Sequence, residues 1–163
     1  MDNDEFRFET QKHVNRVRNL LDNVIDKLDS CAYHHDTSKF KEDEAPVFRE
    51  FTPKLKDSTY GSDEYKGFLK EMKPALDHHY ANNRHHPEHH PYGIHDMTLV
   101  DLIEMLCDWK AAGERHDNGS IEKSITINTE RFKICPELAS ILTATARAMG
   151  WIEEDKANGL CNM

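Results

Sequence analysis

Seven of the eleven histidines in this 163-residue chain lie between positions 78 and 95. Imidazole nitrogens bind transition metals and exchange protons near neutral pH, so this density predicts metal binding or acid–base chemistry. His79 lies seven residues after Met72 and three after Leu76, so a helix places it on their inward face, whereas His78 faces elsewhere. An inward imidazole needs a polar partner or an ion, which makes His79 a candidate ligand.

Residues 82–96, which follow, contain two prolines, a glycine and five histidines, a composition that predicts a loop. A surface loop that binds metal only incidentally explains His89, His90 and His95 well. His85 and His86 are the first two histidines of this loop, within reach of the helix that carries His79. These two histidines therefore remain candidates for the same site.

Two further patterns contain carboxylates that could bind a metal ion. His35-Asp36 offers an imidazole nitrogen and a carboxylate oxygen to one ion, although the dipeptide alone is weak evidence. Asp101, Glu104 and Asp108 stand at i, i+3 and i+7 and share one helical face. A solvated acidic face is the ordinary interpretation of each of these three carboxylates taken singly.

Helices joined by short loops must position these groups, because no segment alternates apolar and polar residues as a strand does. The first helix, predicted over Phe6–Ser30, repeats its apolar residues at steps of three and four. His13 lies on that stripe one turn before Val17, where a hydrogen-bonded core histidine is the commoner case. Further helices are predicted around 47–51, through 65–79 with a bend or break at Pro74, over 97–112 with Asp96 or Thr98 as cap, and from Pro136 to Gly150. The fold class predicted is an all-α bundle, in a single domain over residues 1–163.

Composition excludes several function classes. The chain has 30 acidic and 21 basic residues and a net charge of −9, which argues against binding extended nucleic acid. No apolar run approaches the ~18 residues of a membrane span, and MDNDEFRFETQK lacks the apolar core of a secretion signal. The four cysteines form no CxxC pair and are expected as reduced thiols. We therefore predict a cytoplasmic protein with a small-molecule partner and no membrane.

Taken in order, these motifs resemble the HD-domain superfamily of metal-dependent phosphohydrolases, whose pattern is an early histidine, a His-Asp pair and a later aspartate. HDTSK is similar to the HDxGK motif, and DWKAAGER to the final helix, of the cyclic-dinucleotide phosphodiesterase branch. HDxSKF, NxHHPEH and EMxxDW resemble a group of small HD-like proteins, many of them phage-encoded, over roughly residues 10–150. The resemblance implies an HD-like helical bundle and metal chemistry, without an established substrate.

The resemblance also implies a ligand set, which is His13, His35, Asp36 and Asp108. Such mixed nitrogen and oxygen donors suit Mn²⁺, Fe²⁺, Co²⁺ or Zn²⁺ better than Mg²⁺. With His79 and His85 or His86 also pointing inward, there are ligands for a second ion that Asp36 bridges.

The remaining site residues are expected from the same motifs. Asp36, Lys39 and Glu104 are the predicted catalytic residues, with Glu104 accepting a proton from the attacking water or orienting it. Lys39, Arg84 and Arg115 are the predicted substrate-binding cations, since each can neutralise a phosphate.

Three functions stay open at this point. The first is a metal-dependent phosphohydrolase acting on a small nucleotide or cyclic nucleotide. The second is a di-iron oxygenase, because some HD proteins use the same ligand order for oxidative cleavage. The third is a nucleotide-binding protein without turnover, which needs Lys39 and Arg84 but not the whole ligand set. The sequence leaves a homo-oligomer open.

Overall fold

The computed structural model describes residues 1–59, 62–115 and 119–153, and these residues form α-helices and short 3₁₀ turns without a strand. The prediction of an all-α fold is confirmed. The chain divides into unit 1 (Met1–Thr37) and unit 2 (Ser38–Met163). No helix in the described ranges is long and apolar enough to cross a membrane.

Unit 1 consists of one long helix, α1 (Asn3–His34), and the turn that ends it. The Asp2 side chain caps α1 by accepting hydrogen bonds from the backbone N–H groups of Asp4 and Glu5. The helix exceeds the predicted Phe6–Ser30 at both ends, because no proline or glycine interrupts it. It stops where His35 turns extended and Asp36 takes a left-handed conformation with φ of 57°.

Unit 2 contains six α-helices among its described residues. They are α2 (Ala45–Asp57), α3 (Asp63–Glu71), α4 (Lys73–Asn82), α5 (Leu99–Gly113), α6 (Ile121–Phe132) and α7 (Pro136–Ala148). Short 3₁₀ turns span Thr37–Phe40, Pro87–His89 and Gly93–Asp96. The predicted loop over residues 82–96 is therefore real, with two of these turns inside it.

Local chemistry explains where the helices of unit 2 begin and end. Pro74 splits the predicted helix at Met72, because its ring is accepted only in the first turn of α4. Thr98 caps α5 in a reciprocal pair with Asp101, each side chain accepting the other residue's backbone N–H. Gly150, with φ of 70°, follows the end of α7 as predicted.

The main core of unit 2 lies where α5, α6 and α7 pack together. Trp109 of α5 stacks on Phe132 of α6, with 4° between the ring planes. The buried apolar residues of this core are Leu102, Met105, Leu106, Ile121, Ile125, Ile134, Leu142, Ala146 and Ile152. Three of them come from α5, so burial of one face fixes the rotation of this helix and presents its carboxylates on another face.

Candidate metal centre

His79 is buried in unit 2, with 2% of its surface exposed, as its spacing from Met72 and Leu76 predicts. Its Nδ1 lies 2.9 Å from Oε2 of Glu44. A carboxylate only accepts, so Nδ1–H of His79 is the donor and its Nε2 carries the lone pair. The partner carboxylate therefore fixes the tautomer of His79 that can bind a metal ion.

Glu44 is completely buried directly before α2 and accepts hydrogen bonds from three side chains. Besides His79, they are Ser38 through Oγ at 3.0 Å and His78 through Nδ1 at 2.7 Å. His78 is partly exposed, as expected for a residue that does not share the inward face of His79. It nevertheless contacts the same carboxylate as His79, which its helical position did not predict. Asn83 completes this network by donating to Ser38 Oγ and to the backbone carbonyl of His79.

His85, in the loop after α4, repeats this arrangement with a carboxylate of α5. Its side chain is 2% exposed, and its Nδ1 lies 3.0 Å from Oε1 of Glu104 in α5. Nδ1–H donates to the carboxylate, and Nε2 is again the nitrogen suited to an ion. Glu104 therefore has a definite contact in the structure, and this contact orients the ring of His85.

His79, His85 and His86 present ligand nitrogens within 4.8 Å of one another. Nε2 of His79 and Nε2 of His86 are 3.0 Å apart, and the rings of His85 and His86 are tilted against each other with centroids 4.1 Å apart. Two imidazoles that bind one ion at ~2.1 Å and at a right angle have nitrogens about 3 Å apart. Unit 2 therefore contains a cluster of histidines with an acidic partner that is suited to a metal ion.

A tyrosine ring packs beside this cluster. The ring of Tyr80 lies 4.8 Å from that of His86 between centroids. Burial, followed by the charge of Glu88, raises the pKa of Tyr80 above its ordinary value of 10.0, so its phenol stays protonated at neutral pH.

The loop that carries His85 and His86 is attached to α5 by an ion pair. Arg84 donates through Nε and Nη2 to the two carboxylate oxygens of Asp101, each at 3.1 Å. Burial alone raises the pKa of Asp101, but hydrogen bonds from Arg84 and Thr98 outweigh it and lower the pKa below 3.8. Because Arg84 precedes His85 directly, this pair helps to hold both histidines in place.

His89 and His90 differ from the cluster in their partners. His89 Nδ1 donates to the backbone carbonyl of Tyr80 at 3.1 Å, and His90 Nε2 donates to that of Arg84 at 2.9 Å. His90 is buried, so its interpretation as part of a surface loop is wrong, whereas His95 is exposed as expected. His90 thus closes the loop on itself, and His89 attaches the loop to α4.

Lys39 lies near this cluster within unit 2. Its ammonium stands 5.0 Å from the centroid of the Phe48 ring, a cation–π distance. The same Phe48 ring packs edge-on against His79 with centroids 5.5 Å apart. Arg115, in contrast, is exposed after the end of α5, about 16 Å along the helix from Glu104. The structure does not bring Arg115 to the histidines.

Asp108 stands one turn after Glu104 on the same face of α5 and is half-buried. Between them, Cys107 has a raised pKa, because of burial first and then of the charges of Glu104 and Asp108. Its thiol is protonated at neutral pH.

In unit 1, the His35-Asp36 pair follows α1, with His35 Nε2 and Asp36 Oδ2 3.5 Å apart. Asp36 is one of two non-glycine residues described with positive φ, a conformation that aspartate tolerates better than most residues. His13 lies far from this pair. The 22-residue gap was expected to hold a helix and a turn, but α1 runs unbroken to His34, which separates His13 from His35 by roughly 30 Å. The prediction that both bind one ion of the same chain is wrong.

Glu44, Ser38 and Asn83 are functional candidates that sequence reasoning missed. Glu44 belongs to an acidic run, Glu42-Asp43-Glu44, which has the composition of a solvated turn. The available signal was Ser38, which lies within the HDTSK motif and donates to Glu44.

Residues 2–150 match a family described as "Family of unknown function (DUF5662)". Comparison with curated proteins and with solved structures finds no match.

Proposed function

The chain belongs to this family of unknown function, and we propose that it is a metal-dependent phosphohydrolase acting on a small nucleotide or cyclic nucleotide. Its metal centre is built on His79, His85 and His86. The HD-like order of the sequence separately predicts His35, Asp36 and Asp108 as metal ligands. Support for this proposal comes from the chemistry of the donors in unit 2.

One observation carries the proposal. Two buried imidazoles, His79 and His85, each donate Nδ1–H to a carboxylate, from Glu44 and from Glu104. Burying two histidines and the carboxylate of Glu44 costs free energy, and a purely structural role does not require that cost. Carboxylates behind imidazoles are the usual outer partners of metal-bound histidines, where they fix the tautomer and increase ligand basicity.

The residues present fit a transition metal ion. Three imidazoles with nearby carboxylates form a mixed donor set that suits Mn²⁺, Fe²⁺, Co²⁺ or Zn²⁺, in one ion or two. When bound, such an ion acidifies water and stabilises negative charge at phosphorus.

The other residues of the proposed site bind and orient. Lys39, held over Phe48 beside His79, supplies a positive charge for a substrate phosphate. Glu104 holds His85, and it is the proposed acceptor of a proton from the attacking water. Arg84 remains a predicted substrate-binding residue, and its pair with Asp101 supports a positioning role beside it.

The first experiment measures metal. Untagged protein is purified without added metal, analysed for its metal content, stripped, and titrated with Mn²⁺, Fe²⁺, Co²⁺ and Zn²⁺. We expect one or two ions per chain, and loss of binding in a His79→Ala, His86→Ala double variant. The matched control is His89→Ala with His95→Ala, which removes two histidines outside the cluster. Equal losses in both double variants would refute a centre at His79 and His86.

The second experiment measures phosphate release from nucleoside mono- and triphosphates and from cyclic nucleotides with the metal-loaded protein. Lys39→Ala is expected to keep the metal and raise KM or lower kcat. A metal-loaded protein that releases phosphate from none of these substrates would contradict the phosphohydrolase assignment and leave the metal centre standing.

A di-iron oxygenase is the second candidate, and the third imidazole favours it, because a nitrogen-rich donor set suits iron. Iron in the purified protein together with substrate-dependent oxygen consumption would support this function over phosphate release.

A further inference from the structure

Unit 1 is a single helix whose apolar stripe is largely exposed. The stripe consists of Val14, Val17, Leu21, Val24, Leu28 and Cys31, and we call it the α1 stripe. These positions follow one another at steps of three and four, the heptad spacing of helices that supercoil around another helix. None of the α1 residues is buried, and Leu21 is 58% exposed. The stripe thus has the pattern of a helix–helix contact.

We propose that the α1 stripe pairs antiparallel with the same stripe of a second copy of this chain. In the register that centres on residues 22 and 23, each layer contains one residue from either copy whose numbers add to 45. The layers are Val14 with Cys31, Val17 with Leu28 and Leu21 with Val24, each occurring twice by symmetry.

Side-chain size favours this antiparallel register. Both leucine layers join a leucine to a valine of the other copy, so a larger and a smaller side chain share each layer. A parallel pair would instead place Leu21 on Leu21 and Val24 on Val24. That pattern, with leucine at a and a β-branched residue at d, disfavours two-stranded parallel coiled coils.

Charge favours it as well. Residues 12–22 contain three cations and one acid, namely Lys12, Arg16, Arg18 and Asp22. Residues 23–33 contain one cation and two acids, namely Asp26, Lys27 and Asp29. The antiparallel register places these two segments of opposite net charge against each other. A parallel pair would place each segment against the same segment of the other copy, which carries the same net charge.

The same register places His13 beside His34 of the second copy, because both flank the stripe on the same side. A single chain keeps His13 roughly 30 Å from His35. A dimer through α1 would therefore bring His13 of one copy towards the His-Asp pair of the other. This consequence rests on the proposed function, whereas the dimer itself does not.

The mass of the full chain in solution tests the dimer. We expect twice the mass of one chain at tens of micromolar by light scattering, and the mass of one chain for Leu21→Arg. The control Asn19→Arg adds the same charge on the polar face and keeps the dimer. A wild-type protein with the mass of one chain overturns the proposal. Sedimentation of such a protein with anionic vesicles would not rescue it. A Leu21→Arg variant that stays dimeric overturns it too.

Oxidative cross-linking tests the register. One population carries Val17→Cys and another, of different tag length, carries Leu28→Cys, both in a background with the native cysteines replaced by serine. Antiparallel pairing predicts a disulfide only in mixed dimers, since residues 17 and 28 of opposite copies face each other. Cross-links between two Val17→Cys chains, or between two Leu28→Cys chains, would show a parallel pair and overturn the register.

Discussion

Histidines on the two sides of Pro87 differ in what holds them. Before it, His79 and His85 donate Nδ1–H to the carboxylates of Glu44 and Glu104. After it, His89 and His90 donate to backbone carbonyls. A carbonyl hydrogen bond fastens a loop, whereas a carboxylate also adds negative charge that makes the imidazole a stronger ligand. The partner of the second ring nitrogen, more than the density of histidines, therefore distinguishes a candidate ligand from a structural histidine.

The largest effect is expected on removing the carboxylate behind His79. Glu44→Ala leaves three donors, two of them buried, without their acceptor, so the free energy of unfolding should fall by about 3–5 kcal/mol. Urea denaturation of the metal-free protein measures this loss. Asp43→Ala is the control, because the Asp43 side chain is 72% exposed and should change stability by less than about 0.5 kcal/mol. Similar losses in both variants would mean that the Glu44 network contributes little.

This network could not be predicted from the sequence, although much of the fold could. Apolar spacing and the preferences of Pro74, Thr98 and Gly150 are local, and they led to every described helix except α6 (Ile121–Phe132), which was not predicted. The inward position of His79 is also local, since it depends on its helical spacing from Met72. The contact between Glu44 and His79 joins residues 35 apart, and no periodicity reports such a tertiary contact.

The error at His13 has a different physical origin. Motif order assigned it to the same ion as His35, and the gap length suited a helix followed by a turn. Helix length is set by the absence of a stop signal, and α1 contains neither proline nor glycine to end it early. The order of the motifs therefore predicts candidate ligands. The length of a continuous helix then determines which of these ligands can lie close together within one chain.

The next largest effect concerns the carboxylate behind His85. Glu104→Gln keeps the shape but removes the charge, so metal affinity should fall about 10–100-fold with little loss of stability. Titration of the stripped protein measures this change, and Glu114→Gln, at an exposed position directly after the same helix, is the control. Activity at saturating metal then separates two roles. A proton acceptor predicts a rate lower by on the order of 10²–10⁴-fold, whereas a residue that only orients His85 predicts a nearly normal rate.

A smaller effect is expected at the ion pair that attaches the histidine loop to α5. Asp101 has a lowered pKa, so its charge stabilises the folded state above the ordinary value of 3.8, and this contribution disappears as pH falls through the lower folded value. Asp101→Asn should reduce the free energy of unfolding at pH 7 by about 1–2 kcal/mol, from the lost ion pair and weakened cap. The difference from wild type should vanish in strong acid. Asp77→Asn, in an exposed pair with Lys73, should show almost no difference at either pH.

The smallest effect on the metal centre is expected at His90, which is buried like His79 and His85 but is bound to a carbonyl. His90→Ala should lower the free energy of unfolding by about 1–2 kcal/mol, because the carbonyl of Arg84 loses its donor. His90→Gln should recover part of this loss, since its amide can donate to the same oxygen. Metal affinity of the folded protein should stay within about twofold of wild type in both variants, while His85→Ala lowers it strongly. A loss of affinity in His90→Ala as large as in His85→Ala would show that burial, and not the carboxylate partner, marks the ligands.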